Sequence, residues 1–196
     1  MKTTLTILSV ILCSYLSTAS DPNKVQITYD VNKSESSIKW TGYHIAKSYE
    51  HWGNVKIKSG KVEVSGGEVT GGSITIDMKS ISCGDVSENE KNKKLVNHLK
   101  SDAFFNVKKF STAQLEIKKS TLSESGGSTV SADITIRGIT QPISFELISD
   151  ENDDQLILTA ELVIDRSKHE VLYGWSLDNV IISEDFKLEV KLVLDK

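Results

Sequence analysis

Phe186-Lys187-Leu188-Glu189-Val190-Lys191-Leu192-Val193-Leu194, close to the C-terminus, decides the fold class. Every even position is apolar, and Lys187, Glu189 and Lys191 alternate with them. A period of two puts one face of a strand against a core and the other in water. The same alternation recurs upstream: Leu156, Leu158, Ala160, Leu162 and Ile164; Ile143, Phe145 and Leu147; Ala132, Ile134 and Ile136; Ala113, Leu115 and Ile117; Ile74, Ile76 and Met78. Nearer the N-terminus it appears in Val62 and Val64, in Val55 and Ile57, in Ile38 and Trp40 continuing through Gly42 and His44, and in Val25, Ile27, Tyr29 and Val31.

Turn signals separate these runs. Asn32–Ser36, Ser59-Gly60, Gly66-Gly67, Ser120–Ser128 and the acidic tip Asp150–Asp154 read as turns or hairpin loops, residues 45–53 as irregular, and Arg137–Pro142 as the connection between two strands. About eight antiparallel strands at near-regular spacing fit a sandwich or an up-and-down barrel. Each strand has one wet face, and closure removes exposed edges. The expected fold is therefore all-β, an eight-stranded antiparallel barrel with room for one small apolar ligand, and a sandwich is the alternative.

One segment breaks the alternation. Asn92, Leu95, Val96 and Leu99 fall at helical spacing, Ser87 followed by Glu90 is a capping-box pattern that starts a helix near Glu88, and Lys100-Ser101 closes it. A short helical insert over about residues 88–105 is expected, ending in Phe104 and Phe105 with Phe110 shortly after.

Residues 1–20 read as a secretory signal peptide: Lys2, then an apolar run from Leu5 to Leu16, then Ser17, Thr18, Ala19 and Ser20, with cleavage after Ala19 or Ser20. The run is too short for a comfortable membrane span, and no later segment approaches one. Cys13 lies inside the run after Leu12, which argues against a lipid-modified cysteine. Residues 21–196 form one domain. Removing residues 1–20 takes away Lys2 and no acid, so the net charge moves from −4 to −5. That balance disfavours nucleic acid and anionic membrane surfaces as partners. Cys83 is then the sole cysteine, and no intramolecular disulfide forms. Asn32-Lys33-Ser34 fits a glycosylation sequon, relevant only in a eukaryotic secretory pathway.

Chemistry is sparse. No Gly-rich phosphate loop, Cys-x-x-Cys or helical histidine pair is present, and no serine sits in a Gly-x-Ser-x-Gly turn. His44, His51, His98 and His169 are scattered, so a metal site would need the fold to gather them. Asp150–Asp154 lacks the spaced ligands of a calcium loop, Cys83 has no neighbouring base, and Asp165-Arg166 reads as a barrel-mouth ion pair or a turn anchor. No catalytic residue, metal ligand or cofactor site is assigned, and the chain is not expected to be an enzyme. A rim histidine site or hydrolase using His51, His98 or His169 is one alternative, and a filled barrel serving only protein contacts is another. The aromatics Trp40, Trp52, Phe104, Phe105, Phe110, Tyr173 and Trp175 gather towards strand ends and the insert. Core filling is the ordinary use of such residues.

Several blocks together resemble the YceI-like family of bacterial exported proteins. They are Ile74-Thr75-Ile76-Asp77-Met78 with Ser80-Ile81; Leu95 to Phe105, containing Leu99-Lys100-Ser101-Asp102-Ala103-Phe104-Phe105; Ile134-Thr135-Ile136-Arg137-Gly138-Ile139-Thr140-Gln141-Pro142; and Ile164-Asp165-Arg166-Ser167 with Val171-Leu172-Tyr173-Gly174. The likeness runs in order through nearly all of residues 21–196. It implies a lipocalin-like barrel, periplasmic or secreted, that holds a polyisoprenoid, isoprenoid quinone or other long-chain amphiphile non-covalently and needs no cofactor. On that reading the ligand-binding set is Trp40, His44, Trp52, Ile76, Met78, Leu99, Phe104, Phe105, Phe110, Leu115, Ile134, Ile136, Leu158, Leu162, Tyr173, Trp175 and Phe186. The expected partner is a long-chain isoprenoid or lipid, with a homodimer left open. Each methylene taken from water contributes about 0.8 kcal/mol, so burial alone can drive such binding.

Overall fold

The alternation of Phe186–Leu194 becomes the inner face of the last strand, where Leu188, Leu192 and Leu194 are buried. Its outward Glu189 pairs with Lys39 at 3.0 Å, and Lys187 pairs with Glu161 at 3.2 Å, so the wet face carries cross-strand charge pairs. The computed structural model describes residues 25–44, 49–123, 127–171 and 182–196. Nine strands and one helix appear there: β1 (Gln26–Asp30), β2 (Ser37–His44), β3 (Glu50–Ser65), β4 (Glu68–Asp77), α1 (Asn89–Lys100), β5 (Thr112–Leu122), β6 (Ser128–Ile136), β7 (Ile139–Glu151), β8 (Gln155–Asp165) and β9 (Ile182–Asp195).

All pairings are antiparallel, and the sheet closes on itself. β3 is long enough to face β4 along one edge while β1 and β2 share the other, β1 against Lys61–Ser65 and β2 against Glu50–Val55. β1 and β2 thus make one stave, joined to β9 through the β2 ladder and a Val31–Leu194 bridge. The barrel is closed and antiparallel, with eight staves and one helix, in agreement with the expected fold.

Three local expectations need correction. Residues 45–53 are not irregular throughout: β3 already begins at Glu50, and Glu50, His51 and Trp52 pair with Tyr43, Gly42 and Thr41, while residues 45–48 lie outside the described residues. Ser59-Gly60 is not a turn: β3 runs through it with a bulge between Ile57 and Ser59. A Cβ at Gly60 would lie 2.8 Å from both Ile74 Cδ1 and Val31 Cγ2, so this glycine makes room for two core side chains. Arg137–Pro142 is not a long connection either. Ile136 pairs with Ile139, leaving Arg137 and Gly138 as a two-residue hairpin with φ of 53° and 76°. Both left-handed positions match a type I′ turn, whose twist suits antiparallel strands. Pro142 then falls where β7 has no β8 partner, so its missing N–H costs no bond there.

β8 reaches β7 only from Leu147–Ala160 to Glu151–Leu156. Beyond that the seam is filled by a 3₁₀ turn, Arg166–His169. His169 is 1 % exposed and its Nδ1 donates to Ile139 O at 3.0 Å, while Gln141 Nε2 donates to Lys168 O at 3.2 Å. Asp165 anchors the turn by accepting from Ser167 N and Oγ. The turn-anchor reading of Asp165-Arg166 holds; an ion pair between the two is not present among the described residues.

Candidate functional site

Inward side chains fill one half of the barrel. Val62, Val130, Leu158 and Leu194 are all at most 1 % exposed there. The other half, below the insert, is open. A cavity of about 100 Å³, open at one end, lies between the barrel wall and the residues following α1. Its polar lining residues are Arg166, Ser183 and Asp185; the remainder of the lining is hydrocarbon, aromatic or glycine.

α1 starts after Glu88, one residue beyond the serine of the expected capping box, and Glu88 makes no side-chain capping bond. The helix is tied down by Asn92, whose Nδ2 donates to Cys83 O at 3.1 Å and Val86 O at 2.8 Å. Leu99 faces the cavity, and the chain then turns so that Phe104 and Phe105 cover it. Their rings meet edge to face at 4.8 Å, with Phe105 6.3 Å from Phe186 and Phe104 5.7 Å from His98.

Two arginines hold this cover. Arg137, from the β6–β7 hairpin, donates Nη1 to Phe104 O at 2.7 Å and to Glu170 O at 2.8 Å, joining three of the four sequence blocks. Arg166 is 6 % exposed and lies with its guanidinium carbon 6.0 Å from the Phe104 ring centre, a cation–π distance. Its Nε donates to Ser183 O at 2.9 Å, Nη2 to Ile182 O at 3.2 Å, and Nη1 to Val171 O. Burial pushes the Arg166 pKa below the usual arginine value, against the pull of Glu184 and Asp165. Both arginines lie in blocks that carry the family resemblance, and Asp165-Arg166 reads as a turn anchor, but nothing in the sequence gives either arginine the part of holding Phe104.

Of the residues expected at the ligand, the cavity gathers Trp40 from β2, Ile76 and Met78 from β4 and the turn after it, and Ile134 and Ile136 from β6. Leu99, Phe104, Phe105 and Phe186 join them. Leu158 and Leu162 are packed into the core, and Leu115 is half-buried against it; none lines the cavity. Phe110 packs outside, where a Cβ on Gly138 would lie 3.1 Å from its ring. Trp52 is on the opposite face to Trp40, because Trp40 pairs with Gly53. Its ring lies against the Gly84 backbone, and Lys39 Nζ is 5.4 Å from its centre. His44 stands at the end of β2 with Tyr49, 4.9 Å between ring centres. Tyr173 and Trp175 lie outside the described residues. Val55, Ala113 and Leu188 line the cavity without having been singled out, although they are in phase with neighbours that were.

The three histidines considered for a rim site are separated. His169 fills the β7–β8 seam, His98 is on α1 beside Phe104, and His51 is on β3, where its Nδ1 donates to Asp85 Oδ2 at 2.7 Å. Asp85 Oδ1 accepts from Trp52 N at 2.9 Å and from Cys83 Sγ at 3.3 Å. Burial raises the Asp85 pKa, but hydrogen bonds from His51, Trp52 and Cys83 outweigh it and hold the carboxyl below its usual value. Burial, with the Asp85 carboxylate, pushes the Cys83 thiol up. The order of groups is thiol, carboxylate, imidazole. In nucleophilic catalysis the imidazole sits between the other two, so this is not an activated-cysteine arrangement.

Among the described residues no helix is long and apolar enough to cross a membrane. A comparison with curated proteins returns no match. Among solved structures, the chain is similar to Burkholderia cenocepacia BcnA, with a TM-score of 0.70 at 18 % identity over 83 % of this chain and 98 % of that one. A polyisoprenoid binding domain from Saccharophagus degradans, implicated in plant cell wall breakdown, gives a TM-score of 0.64 at 13 % identity, covering 85 % and 97 %. The YCEI protein of Campylobacter jejuni gives 0.53 at 20 % identity, covering 66 % and 74 %. These identities speak for the fold alone. The model of the YceI-like domain matches residues 29–194, nearly the whole barrel, and the chain belongs to that family.

Proposed function

We propose that the chain is a binding protein, not an enzyme, that holds one long-chain apolar molecule in the cavity under Phe104 and Phe105. The ligand class is a polyisoprenoid, an isoprenoid quinone or another long-chain amphiphile, held non-covalently and without a cofactor. The observation that carries this reading is a lining in which every side chain apart from Arg166, Ser183 and Asp185 is apolar. Burying about fifteen methylenes contributes about 12 kcal/mol. Immobilising the ligand costs about 4–15 kcal/mol, so useful affinity needs a long chain rather than a short one. Arg166, Ser183 and Asp185 lie together at the β8–β9 end and would meet the polar end of an amphiphile. The Saccharophagus degradans domain, named for polyisoprenoid binding, supports the ligand class by likeness of fold.

Lys2, the apolar run Leu5–Leu16 and the small residues after it support export, with residues 1–20 removed and the barrel released to a periplasm or the medium. Transport, storage or stress protection are the roles open to such a carrier.

Native mass spectrometry of protein purified without detergent tests the binding reading. A mass excess that solvent extraction turns into a free hydrophobic molecule is expected. An apo mass alone, together with no binding of long-chain quinones or fatty amides, would overturn it.

A further inference from the structure

His51, Cys83 and Asp85 are brought together although nothing in their spacing announces a site. Among the described residues they form the one group of three His, Cys, Asp or Glu side chains whose ligand atoms all lie within 4.8 Å of one another. We propose that they form a zinc site at the mouth of the barrel, with His51 Nδ1, one Asp85 oxygen and Cys83 Sγ as ligands and the fourth position open to solvent.

The donor set fits the ion. Zinc takes imidazole, thiolate and carboxylate in tetrahedral geometry, and three protein ligands with one open position is a recurrent pattern. Bonds of about 2.0–2.3 Å put tetrahedral ligand atoms about 3.3–3.6 Å apart. The His51–Asp85 separation of 2.7 Å would open by about half an ångström as the ion replaces the shared proton, within the reach of small side-chain rotations. The thiol is 3.3 Å from the other carboxylate oxygen, Asp85 Oδ1, and the three ligand atoms all lie within 4.8 Å of one another, so the thiol side chain closes the remaining distance by rotation.

The surroundings are those of a held site. The Trp52 N–H fixes Asp85 Oδ1 and leaves Oδ2 turned to His51. Asn92 of α1 holds the carbonyls of Cys83 and Val86, and the Gly84 N–H donates to Trp52 O at 2.8 Å, so both ends of Cys83-Gly84-Asp85 are clamped to framework. Partners of this kind, one shell out from the ligands, orient them. The side chains of His51 and Asp85 are 23 % and 18 % exposed, which leaves an ion a path from solvent.

His51 pairs in register with Gly42, a cavity-lining residue, and Trp40 Nε1 donates to Ser82 O at 3.0 Å. The site therefore shares a loop with the cavity wall, but it does not depend on what the cavity holds.

Cobalt(II) reports a tetrahedral thiolate site directly. The full chain carrying Cys13→Ser, in which Cys83 is the only thiol, is stripped with chelator and titrated with cobalt. The expected result is a near-ultraviolet thiolate-to-cobalt charge-transfer band with intense visible d–d bands, saturating at one ion per chain and bleached by added zinc. Cys83→Ser abolishes the charge-transfer band, and His51→Gln weakens cobalt affinity tenfold or more. Absence of the band at saturating cobalt in the Cys13→Ser chain, which needs no further mutant to fold, would overturn the proposal. So would a band whose affinity His51→Gln leaves unchanged.

Discussion

Phe104 is 7 % exposed and sits between His98, Phe105 and the Arg166 guanidinium, whereas Phe105 is half-buried and shares its edge with Phe186. The two rings therefore have separable duties despite being neighbours in the chain. Phe104→Ala should cost about 3–5 kcal/mol of stability, the usual loss for a buried phenylalanine. Phe105→Ala should cost much less in urea unfolding and show instead as weaker binding of a long-chain quinone, followed by fluorescence titration. Equal effects of both substitutions on both measurements would mean that the rings simply plug the barrel. The sequence marked the pair as important but could not separate them, because their difference lies in a turn set by distant groups, above all Arg137. Trp52 shows the same limit more sharply: it and Trp40 look equivalent as strand aromatics, and only the pairing of Trp40 with Gly53 shows that they face opposite ways.

The β6–β7 hairpin is the element that joins the motif blocks. Its turn needs left-handed backbone at Arg137, a position where asparagine or glycine is more usual. Arginine is used because its fork reaches both Phe104 O and Glu170 O. Arg137→Asn separates the two properties, since it suits the turn and loses the reach. A net loss of about 1.5–3 kcal/mol is expected, the range for hydrogen bonds from a charged donor, measured by urea unfolding. Hydrogen exchange should quicken at the Phe105 and Val107 amides, which bond Leu99 O and Lys100 O beneath the insert. Unchanged stability would deny the hairpin its bridging part. The strands themselves were legible because alternation reports a two-faced sheet directly. Strand ends were less so: Ser59-Gly60 and Arg137–Pro142 carry turn residues, yet one is a bulge that admits core side chains and the other is mostly strand.

For the molecule as a whole, the number and regularity of strands fit a barrel or a sandwich, and the need to cover strand edges favoured the closed barrel that the β3–β4 pairing shows. A cavity was not readable in the same way, since Leu158 and Ile134 obey the same alternation and only one of them borders open space. Stability should depend on pH through His98 and His169. Burial lowers both pKa values, and for His169 it outweighs the opposing bond to Ile139, with Asp165 and Lys168 as the nearby charges. The unfolded chain then takes up protons first as pH falls below about 6.5. Their contribution is complete above that value and is lost as pH drops towards the lower folded values. Urea midpoints measured from about pH 7.5 to pH 5 should fall, and His169→Gln should flatten the slope. Asp85, Asp165 and Glu189, all lowered, act only further down, below ordinary carboxylate values of 3.8 to 4.5. The shared stave of β1 and β2 has one more consequence, for the order of assembly. Ser37 of β2 finds its partner in Lys191 and Gly42 in Phe186, so the early stave of β1 and β2 and the late strand β9 are neighbours in the ring. Such distant pairings are slow to form. Until the final segment leaves the ribosome, the sheet cannot latch and its apolar face stays bare. Synthesis from one end thus exposes the unlatched sheet to aggregation for that interval.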